Sequence, residues 1–164
     1  MIITLESLMN GGIEKLALDC SFDFSKEEFD GVFPFTTPVL LKGEILNKAG
    51  IVSLDATAEF ELHAVCDRCA EPFSKSFCVP VSHILVSELN NEDNDEFIVV
   101  PSMELDIEKL TLEDIYLYLP SKLLCKDDCK GVCPSCGANL NNGSCGCKKA
   151  IDPRFEALLS LLDE

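Results

Sequence analysis

Eight of the ten cysteines in this 164-residue chain lie close to another cysteine, at spacings that suit metal binding. Six of the eight lie between residues 125 and 147, and the other two form the upstream step Cys66-Asp-Arg-Cys69. A CxxC step lets one turn of chain present two thiolates to a tetrahedral zinc ion. The sequence therefore predicts thiolate-bound zinc with eight candidate ligands: Cys66, Cys69, Cys125, Cys129, Cys133, Cys136, Cys145 and Cys147.

Eight thiolates are enough for two four-ligand sites, and their spacing leaves two divisions open. In the first, the last four cysteines close a local site, and Cys125 and Cys129 join the upstream pair. In the second, the upstream pair joins Cys133 and Cys136 as a split zinc ribbon. A zinc ion with four protein ligands has no open position for water or substrate. We therefore expect one or two structural zinc ions rather than a catalytic one.

The charge of the chain is unevenly distributed. Residues 1–121 hold 7 basic and 23 acidic side chains, which account for the whole net charge of −16, and residues 122–164 are neutral. An acidic body repels nucleic acid and favours basic partners. Lysines surround the cysteine-rich segment, so we expect any direct RNA contact only at that edge. No secretory signal or long apolar run is visible, which predicts a cytoplasmic protein with reduced thiols and no membrane partner.

The upstream cysteines are expected at the tip of a long β-hairpin. After an irregular start, alternation from Val39 to Ile45 predicts one strand, and strict alternation from Val52 to Ala64 predicts a second. A third strand continues from Phe73 to Val81. Strands of this length usually bend, so the expected fold is α+β, with a long curved antiparallel sheet that forms a meander or a partial barrel.

A few short helices complete the prediction. Thr111 is placed as the N-cap of a helix that Pro120 ends, and residues 87–96 are expected to form a mobile acidic loop. Beyond the cysteines, Asp152-Pro153 predicts the start of a short terminal helix that docks on the body. The chain then divides into a sheet body over residues 1–121 and a zinc-knuckle segment with the terminal helix over residues 122–164.

The chain contains only two arginines, Arg68 within the upstream CxxC step and Arg154 in the terminal helix. An arginine can grip a phosphate or carboxylate with two hydrogen bonds, so either residue could contact a partner. The alternative is a structural ion pair with Asp67, Glu71 or Asp152. Of the two histidines, His63 is expected on the exposed strand face and His83 as a hydrogen-bonded, partly buried residue. No catalytic triad or phosphate-binding loop is present, and we predict no enzyme activity.

Two segments resemble a known family. Cys66-Asp-Arg-Cys69, followed by Glu71-Pro72-Phe73, resembles the CxRC-x-x-PF signature of the YceD family, which is named for large-subunit ribosomal RNA accumulation. The tail from Cys129 to Asn141, followed by Asp152-Pro153-Arg154-Phe155, is similar to the cysteine-rich branch of that family in Gram-positive bacteria. The resemblance runs from about residue 38 to the end of the chain, and both arginines fall within its signatures.

The resemblance implies a role in ribosome biogenesis, through synthesis, processing or stability of the large-subunit (23S) RNA. Together with the charge distribution, it favours a non-catalytic adaptor for a basic ribosomal protein or RNA-maturation factor. We expect the contact surface at Arg68, Lys130 and Arg154. Two alternatives remain open: a redox-sensitive zinc-thiolate chaperone and, with less support from the all-thiol ligands, a metal-dependent hydrolase.

Overall fold

The fold was examined in a computed structural model that describes residues 1–29, 31–88 and 97–147. In chain order the elements are β1 (Ile2–Thr4), α1 (Glu6–Met9), β2 (Lys15–Phe22), β3 (Val39–Lys48), β4 (Ile51–Val65), β5 (Pro72–Val86), β6 (Phe97–Val99), β7 (Glu104–Asp106) and α2 (Ile107–Tyr118). The predicted terminal helix, with Arg154, lies outside the described residues, as does most of the predicted acidic loop. The predicted division at residues 121 and 122 stays a prediction.

The predicted α+β meander is confirmed. Strands β2, β3, β4 and β5 pair as consecutive antiparallel neighbours in an open five-stranded sheet, and β1 pairs with β7 in a separate two-stranded sheet. The strand predicted over residues 52–64 is β4, whose register with β5 carries all the way to the pair Val65 and Pro72. The sheet is not wholly antiparallel, however, because β6 pairs with β5 in parallel.

One face of the sheet carries the hydrophobic core. Alternate residues of β3, β4 and β5 are buried on this face, and α1 and α2 contribute Leu8 and Ile115 to the same cluster. Burial of one face and exposure of the other is what period-two alternation requires. Gly43 in β3 lies so close to β4 that a Cβ atom there would be 2.3 Å from the Cα of Ala56. A side chain at this position would therefore push the two strands apart.

Two local predictions were wrong. The irregular start contains β2, in which Leu16, Leu18, Cys20 and Phe22 alternate with more exposed residues, so the signal was present in the sequence. The long helix begins four residues before the predicted cap, because the Asp106 side chain accepts the Lys109 N–H. Thr111 is instead buried inside α2 and donates its hydroxyl to the carbonyl of Ile107.

The end of α2 and its attachment to the sheet follow the prediction. The helix ends at Tyr118, and Leu119 is extended, as expected for a residue that precedes proline. His83 on β5 lies 2.7 Å from the Asp114 carboxylate of α2, which confirms its hydrogen-bonded, partly buried state. Helix α2 has 12 residues, and none of the described helices combines the length and hydrophobicity of a membrane span.

Candidate metal centre

The upstream cysteines lie at the tip of the β4–β5 hairpin, in a turn that brings their thiols together. The N–H of Cys66 donates to the carbonyl of Glu71, and the N–H of Ala70 donates to the carbonyl of Cys66, both at 2.9 Å. Ala70 has a left-handed conformation, with φ of 57°, which closes the turn. Cys66 and Cys69 are both buried. The hairpin by itself therefore provides two of the four ligands of a metal site.

The other half comes from Cys125 and Cys129, and we call these four residues the inner centre. The sulfur of Cys66 lies 3.8 Å from that of Cys129, and the sulfur of Cys69 lies 3.7 Å from that of Cys125. A tetrahedral zinc ion with bonds of about 2.3 Å would place its sulfur ligands about 3.8 Å apart. A disulfide would bring two sulfurs to about 2.05 Å. The spacing therefore fits a four-thiolate metal site.

The last four cysteines form a second group, which we call the outer centre: Cys133, Cys136, Cys145 and Cys147. In each centre all four sulfurs lie within 4.8 Å of one another. The N–H of Cys133 donates to the carbonyl of Ala138, and the N–H of Gly137 donates to the carbonyl of Cys133, both at 2.8 Å. These bonds fold the CxxC step into a local knuckle. Unlike the inner centre, this one is open to solvent, because Cys136 and Cys147 are exposed.

The structure thus brings the cysteines together in the first of the two divisions that the spacing allowed. The hairpin pair meets Cys125 and Cys129, and the split ribbon with Cys133 and Cys136 is not formed. His63, three residues before the hairpin pair, lies on the polar strand face with its Nδ1 atom 2.8 Å from the hydroxyl of Ser74. The expectation of a surface histidine is therefore confirmed.

Proton affinities within the inner centre differ widely. Burial alone would raise the pKa of Cys66, but backbone N–H groups, first that of Cys125, stabilise its thiolate and lower the pKa to about 6. The thiol of Cys125 has its pKa raised to about 12, by burial and by its hydrogen bonds to neighbouring cysteines. A side-chain hydrogen bond from Asn141 lowers the pKa of Cys129. Full ionisation of four adjacent thiols therefore requires a compensating cation.

In the outer centre, too, the proton affinities of the thiols differ widely. Backbone N–H groups of Ser135 and Cys136 lower the pKa of Cys133 to about 6. The hydrogen bond to Cys136 and the charge on that sulfur raise the pKa of Cys147 to about 12. Thiolates of this kind are soft ligands, and a tetrahedral set of four is typical of zinc or of an iron–sulfur centre. Both centres are therefore compatible with zinc, and neither leaves a ligand position for a substrate.

Hydrogen bonds on either side of the inner centre clamp the cysteine-rich segment to the hairpin. On one side, the carboxylate of Asp67 accepts the N–H of Leu123 at 2.6 Å, and the N–H of Asp67 donates to the carbonyl of Leu123. On the other side, the guanidinium of Arg68 donates to the carbonyl of Cys129, and the carbonyl of Arg68 accepts the N–H of Val132. The two halves of the ligand set are thus joined by more than their sulfurs.

Gly131 is required where the chain crosses the hairpin tip. Its φ is 73°, and a Cβ atom there would lie 2.9 Å from the carbonyl oxygen of Arg68. A side chain would combine a strained backbone with a contact closer than folded proteins tolerate. The glycine therefore permits the close crossing that the two centres share.

Two asparagines beside the inner centre also help to position its ligands, and sequence reasoning missed them. Asn141 donates from its amide nitrogen to the sulfur of Cys129 at 3.3 Å and accepts the N–H of Lys130 at 2.9 Å. Asn139 accepts the backbone N–H and the side-chain amide of Asn141 and donates to the carboxylate of Glu71. Asparagine in a glycine-rich segment is a turn signal, but its contact with a sulfur depends on tertiary structure.

The predicted contact residues lie on one edge so far as they are described. Arg68 and Lys130 are both exposed, and Arg68 lies against the backbone that carries Lys130. Arg68 forms no ion pair with Asp67 or Glu71 in the described part of the chain; those carboxylates accept hydrogen bonds from Leu123 and Asn139. The backbone N–H of Lys130, rather than its ammonium group, makes the structural contact.

Comparison with known proteins identifies relatives of this chain by sequence. The family model described as large ribosomal RNA subunit accumulation protein YceD matches residues 54–162, which include both centres. No solved structure matches the chain.

Two plant proteins carry the same description in their names. The chloroplastic large ribosomal RNA subunit accumulation protein YCED homolog 1 of Zea mays is 27% identical over 144 residues, covering 68% of this chain and 49% of the maize protein. The Arabidopsis thaliana homolog is 26% identical over 145 residues, covering 70% and 45%. An uncharacterized protein of Mycobacterium tuberculosis is 29% identical over 101 residues, covering 59% and 49%. The chain spans about half the length of the curated relatives it matches.

Proposed function

This chain belongs to the YceD family of large ribosomal RNA subunit accumulation proteins, and from that premise we propose that it supports the accumulation of large-subunit (23S) ribosomal RNA. It acts in the cytoplasm as a non-catalytic factor in the synthesis, processing or stability of that RNA. The names of the maize and Arabidopsis relatives support this assignment. The all-thiol ligand sets support a role without catalysis, because they offer no open metal position.

We propose that both centres hold structural zinc. The single observation that supports this best is the spacing of 3.7 and 3.8 Å between sulfurs of the inner centre. Zinc binding to such a site contributes on the order of 10 kcal/mol, enough to fold a segment that has little hydrophobic core. Native mass spectrometry should find two zinc ions in the chain and one in a Cys66→Ser/Cys69→Ser variant. One ion in both proteins would remove the inner centre from the proposal.

The proposed zinc scaffold then presents a contact edge with Arg68 and Lys130 on an otherwise acidic protein. Arg154, which lies outside the described residues, is a further predicted contact residue. A net charge of −16 favours a basic partner, such as a ribosomal protein or an RNA-maturation factor. Direct contact with ribosomal RNA is limited to this edge, where Arg68 and Lys130 are exposed. The family signature includes Arg68, and the inner centre fixes that residue beside the segment that carries Lys130.

Lys130→Ala gives the cleanest test of the contact edge, because among the described residues Lys130 is bonded through its backbone N–H and not through its ammonium group. The variant should retain two zinc ions but capture less of the partner and lower the ratio of large- to small-subunit RNA in cells. Lys48→Ala is the matched control, since Lys48 pairs with Ile51 at the opposite end of β4. Equal effects of the two substitutions would show that general charge, rather than this edge, supports RNA accumulation.

Arg68 needs a second variant, because its guanidinium also bonds the carbonyl of Cys129. Arg68→Ala should reduce partner capture and RNA accumulation. Arg68→Lys retains the positive charge but not the planar guanidinium group, so it separates the effect of charge from that of guanidinium geometry. Unchanged RNA levels and unchanged capture in Arg68→Ala, with zinc content confirmed, would contradict the proposed contact edge.

A redox-sensitive zinc-thiolate chaperone is the alternative, and the exposure of Cys136 and Cys147 is the observation that favours it. Exposed thiolates react with peroxide more readily than buried ones. This alternative predicts that hydrogen peroxide rapidly releases zinc from the outer centre and that the oxidised protein suppresses aggregation of an unfolded client. Zinc release without such holding activity would reject the chaperone and leave the scaffold proposal in place.

A further inference from the structure

The turn formed by Asn139–Asn141 belongs to the outer knuckle but contacts the inner centre. It lies in the loop between Cys136 and Cys145, two ligands of the outer centre, so its position depends on the fold of the knuckle. The carbonyl of Gly131 accepts the N–H of Leu140, which holds the turn against the segment that crosses the hairpin tip at Gly131. From there Asn141 reaches the sulfur of Cys129 at 3.3 Å. A loop between two ligands of the outer centre thus contacts a ligand of the inner centre.

The hydrogen bonds of this turn are arranged to hold its donor towards the sulfur. Asn139 accepts the backbone N–H of Asn141 and its side-chain amide, both at 2.9 Å, while Lys130 fixes the amide oxygen of Asn141 from the other side. The same amide nitrogen is therefore positioned by its neighbours before it meets the sulfur. An N–H group directed at a metal-bound thiolate stabilises its negative charge and orients the ligand.

We propose that Asn141 is a positioning residue that couples the two centres, so that metal in the outer centre raises the metal affinity of the inner centre. The inference rests on the proposed metal sites and extends them to their regulation. When the outer centre loses its metal, the loop that carries Asn141 is no longer closed by Cys136 and Cys145, and Cys129 loses its N–H donor. The exposed centre thereby controls how tightly the buried centre clamps the cysteine-rich segment to the hairpin.

The test compares four proteins that all retain the inner ligands: the full chain, Asn141→Ala, Cys145→Ser/Cys147→Ser, and the combination. Each is loaded with cobalt(II), whose thiolate charge-transfer band reports occupancy, and is then titrated with a chelator. A Cys66→Ser/Cys69→Ser variant supplies the release curve of the outer centre, so that the two steps can be assigned. Removal of a residue that hydrogen-bonds a metal ligand typically weakens metal binding roughly 10–100-fold.

Coupling predicts effects that do not multiply. Asn141→Ala and the outer-centre variant should each weaken inner-centre binding by roughly 10–100-fold, and the combined variant should weaken it no further. Asn141→Asp keeps the oxygen that accepts the Lys130 N–H but cannot donate to sulfur and adds a negative charge beside it, so it should weaken binding at least as much as Asn141→Ala does. Loss of the N–H donor should also move the charge-transfer band of the inner centre to longer wavelength, which mere loosening of the turn would not do.

Asn142→Ala is the matched control, since only the backbone of Asn142 bonds within the described residues and its side chain is exposed. It should leave affinity and spectrum unchanged. Full inner-centre affinity in the Cys145→Ser/Cys147→Ser variant, or losses that multiply in the combination, would overturn the coupling. Absence of any inner-centre metal in the full chain would instead overturn the metal site itself, so the two failures are distinguishable.

Discussion

Replacing Asp67 by alanine should weaken metal binding at the inner centre about tenfold without touching a ligand. The carboxylate of Asp67 accepts the N–H of Leu123 at 2.6 Å, two residues before Cys125 enters the centre. This bond exists only when the cysteine-rich segment lies on the hairpin. Its contribution therefore appears in the free energy of metal binding, because the metal holds the same two parts together.

The magnitude follows from the geometry. A hydrogen bond to a charged group contributes about 1.5–3 kcal/mol, and the lower end applies because Asp67 is exposed to solvent. A loss of about 1.5 kcal/mol corresponds to an affinity about tenfold lower. Asp67→Asn keeps a neutral acceptor, and neutral hydrogen bonds are about half as strong as charged ones. That variant should lose about half as much binding free energy.

The assay is chelator competition for zinc at the inner centre, because unfolding of a protein with tightly bound metal is not a two-state process. Asp128→Ala is the matched control: Asp128 lies in the same segment, is 81% exposed at its side chain and only approaches Lys126 at 4.0 Å. Its removal should change the free energy of zinc binding by less than about 0.5 kcal/mol.

Two results would refute this reasoning. Equal affinities for Asp67→Ala and Asp128→Ala would show that the bond to Leu123 contributes nothing to docking of the segment. A loss in Asp67→Asn as large as that in Asp67→Ala would show that the charge of the carboxylate, rather than the hydrogen bond it accepts, carries the effect.

Further predictions concern other contacts of the same fold. In the same chelator assay, Gly131→Ala should weaken metal binding at the inner centre by about 2 kcal/mol or more. Gly137→Ala should weaken it by only about 1 kcal/mol, because Gly137 has the same φ of 73° but no atom near its Cβ position. Chelation of zinc should abolish hydrogen-exchange protection at the amide of Val132 but leave the β4–β5 ladder protected; retained protection at Val132 would contradict metal-dependent docking. In urea unfolding of the chelated, metal-free protein, His83→Ala and Asp114→Ala should each destabilise the sheet body by about 1.5 kcal/mol, and the double variant by no more than one of them; additive losses would show that the 2.7 Å contact contributes nothing.

The fold places its most specific chemistry where two distant parts of the chain meet. The hairpin provides two thiols, and the segment after α2 provides two more, across sequence separations of 56 and 63 residues. A knuckle of local ligands then lies beside this junction. Such an arrangement can hold two chain segments together with little apolar core, which is the role that thiolate-bound metals serve in small domains.

The sequence by itself determined the local features of this protein. The close spacing of cysteine pairs identified all eight cysteines that the structure gathers, and period-two alternation located β4, because both signals depend on neighbours within a few residues. The same kind of signal was available for β2 and was overlooked. Family membership was also visible in the hairpin signature and is confirmed by the family model.

Only the tertiary structure decided which cysteines share a centre. Spacing allowed the hairpin pair to join either Cys125 and Cys129 or a later pair, and the path of the chain across the hairpin tip selected the former. The roles of Asp67 and Asn141 were hidden for the same reason. Each acts through a hydrogen bond to a group far away in the chain or across a turn, and such bonds exist only once packing has brought their partners together.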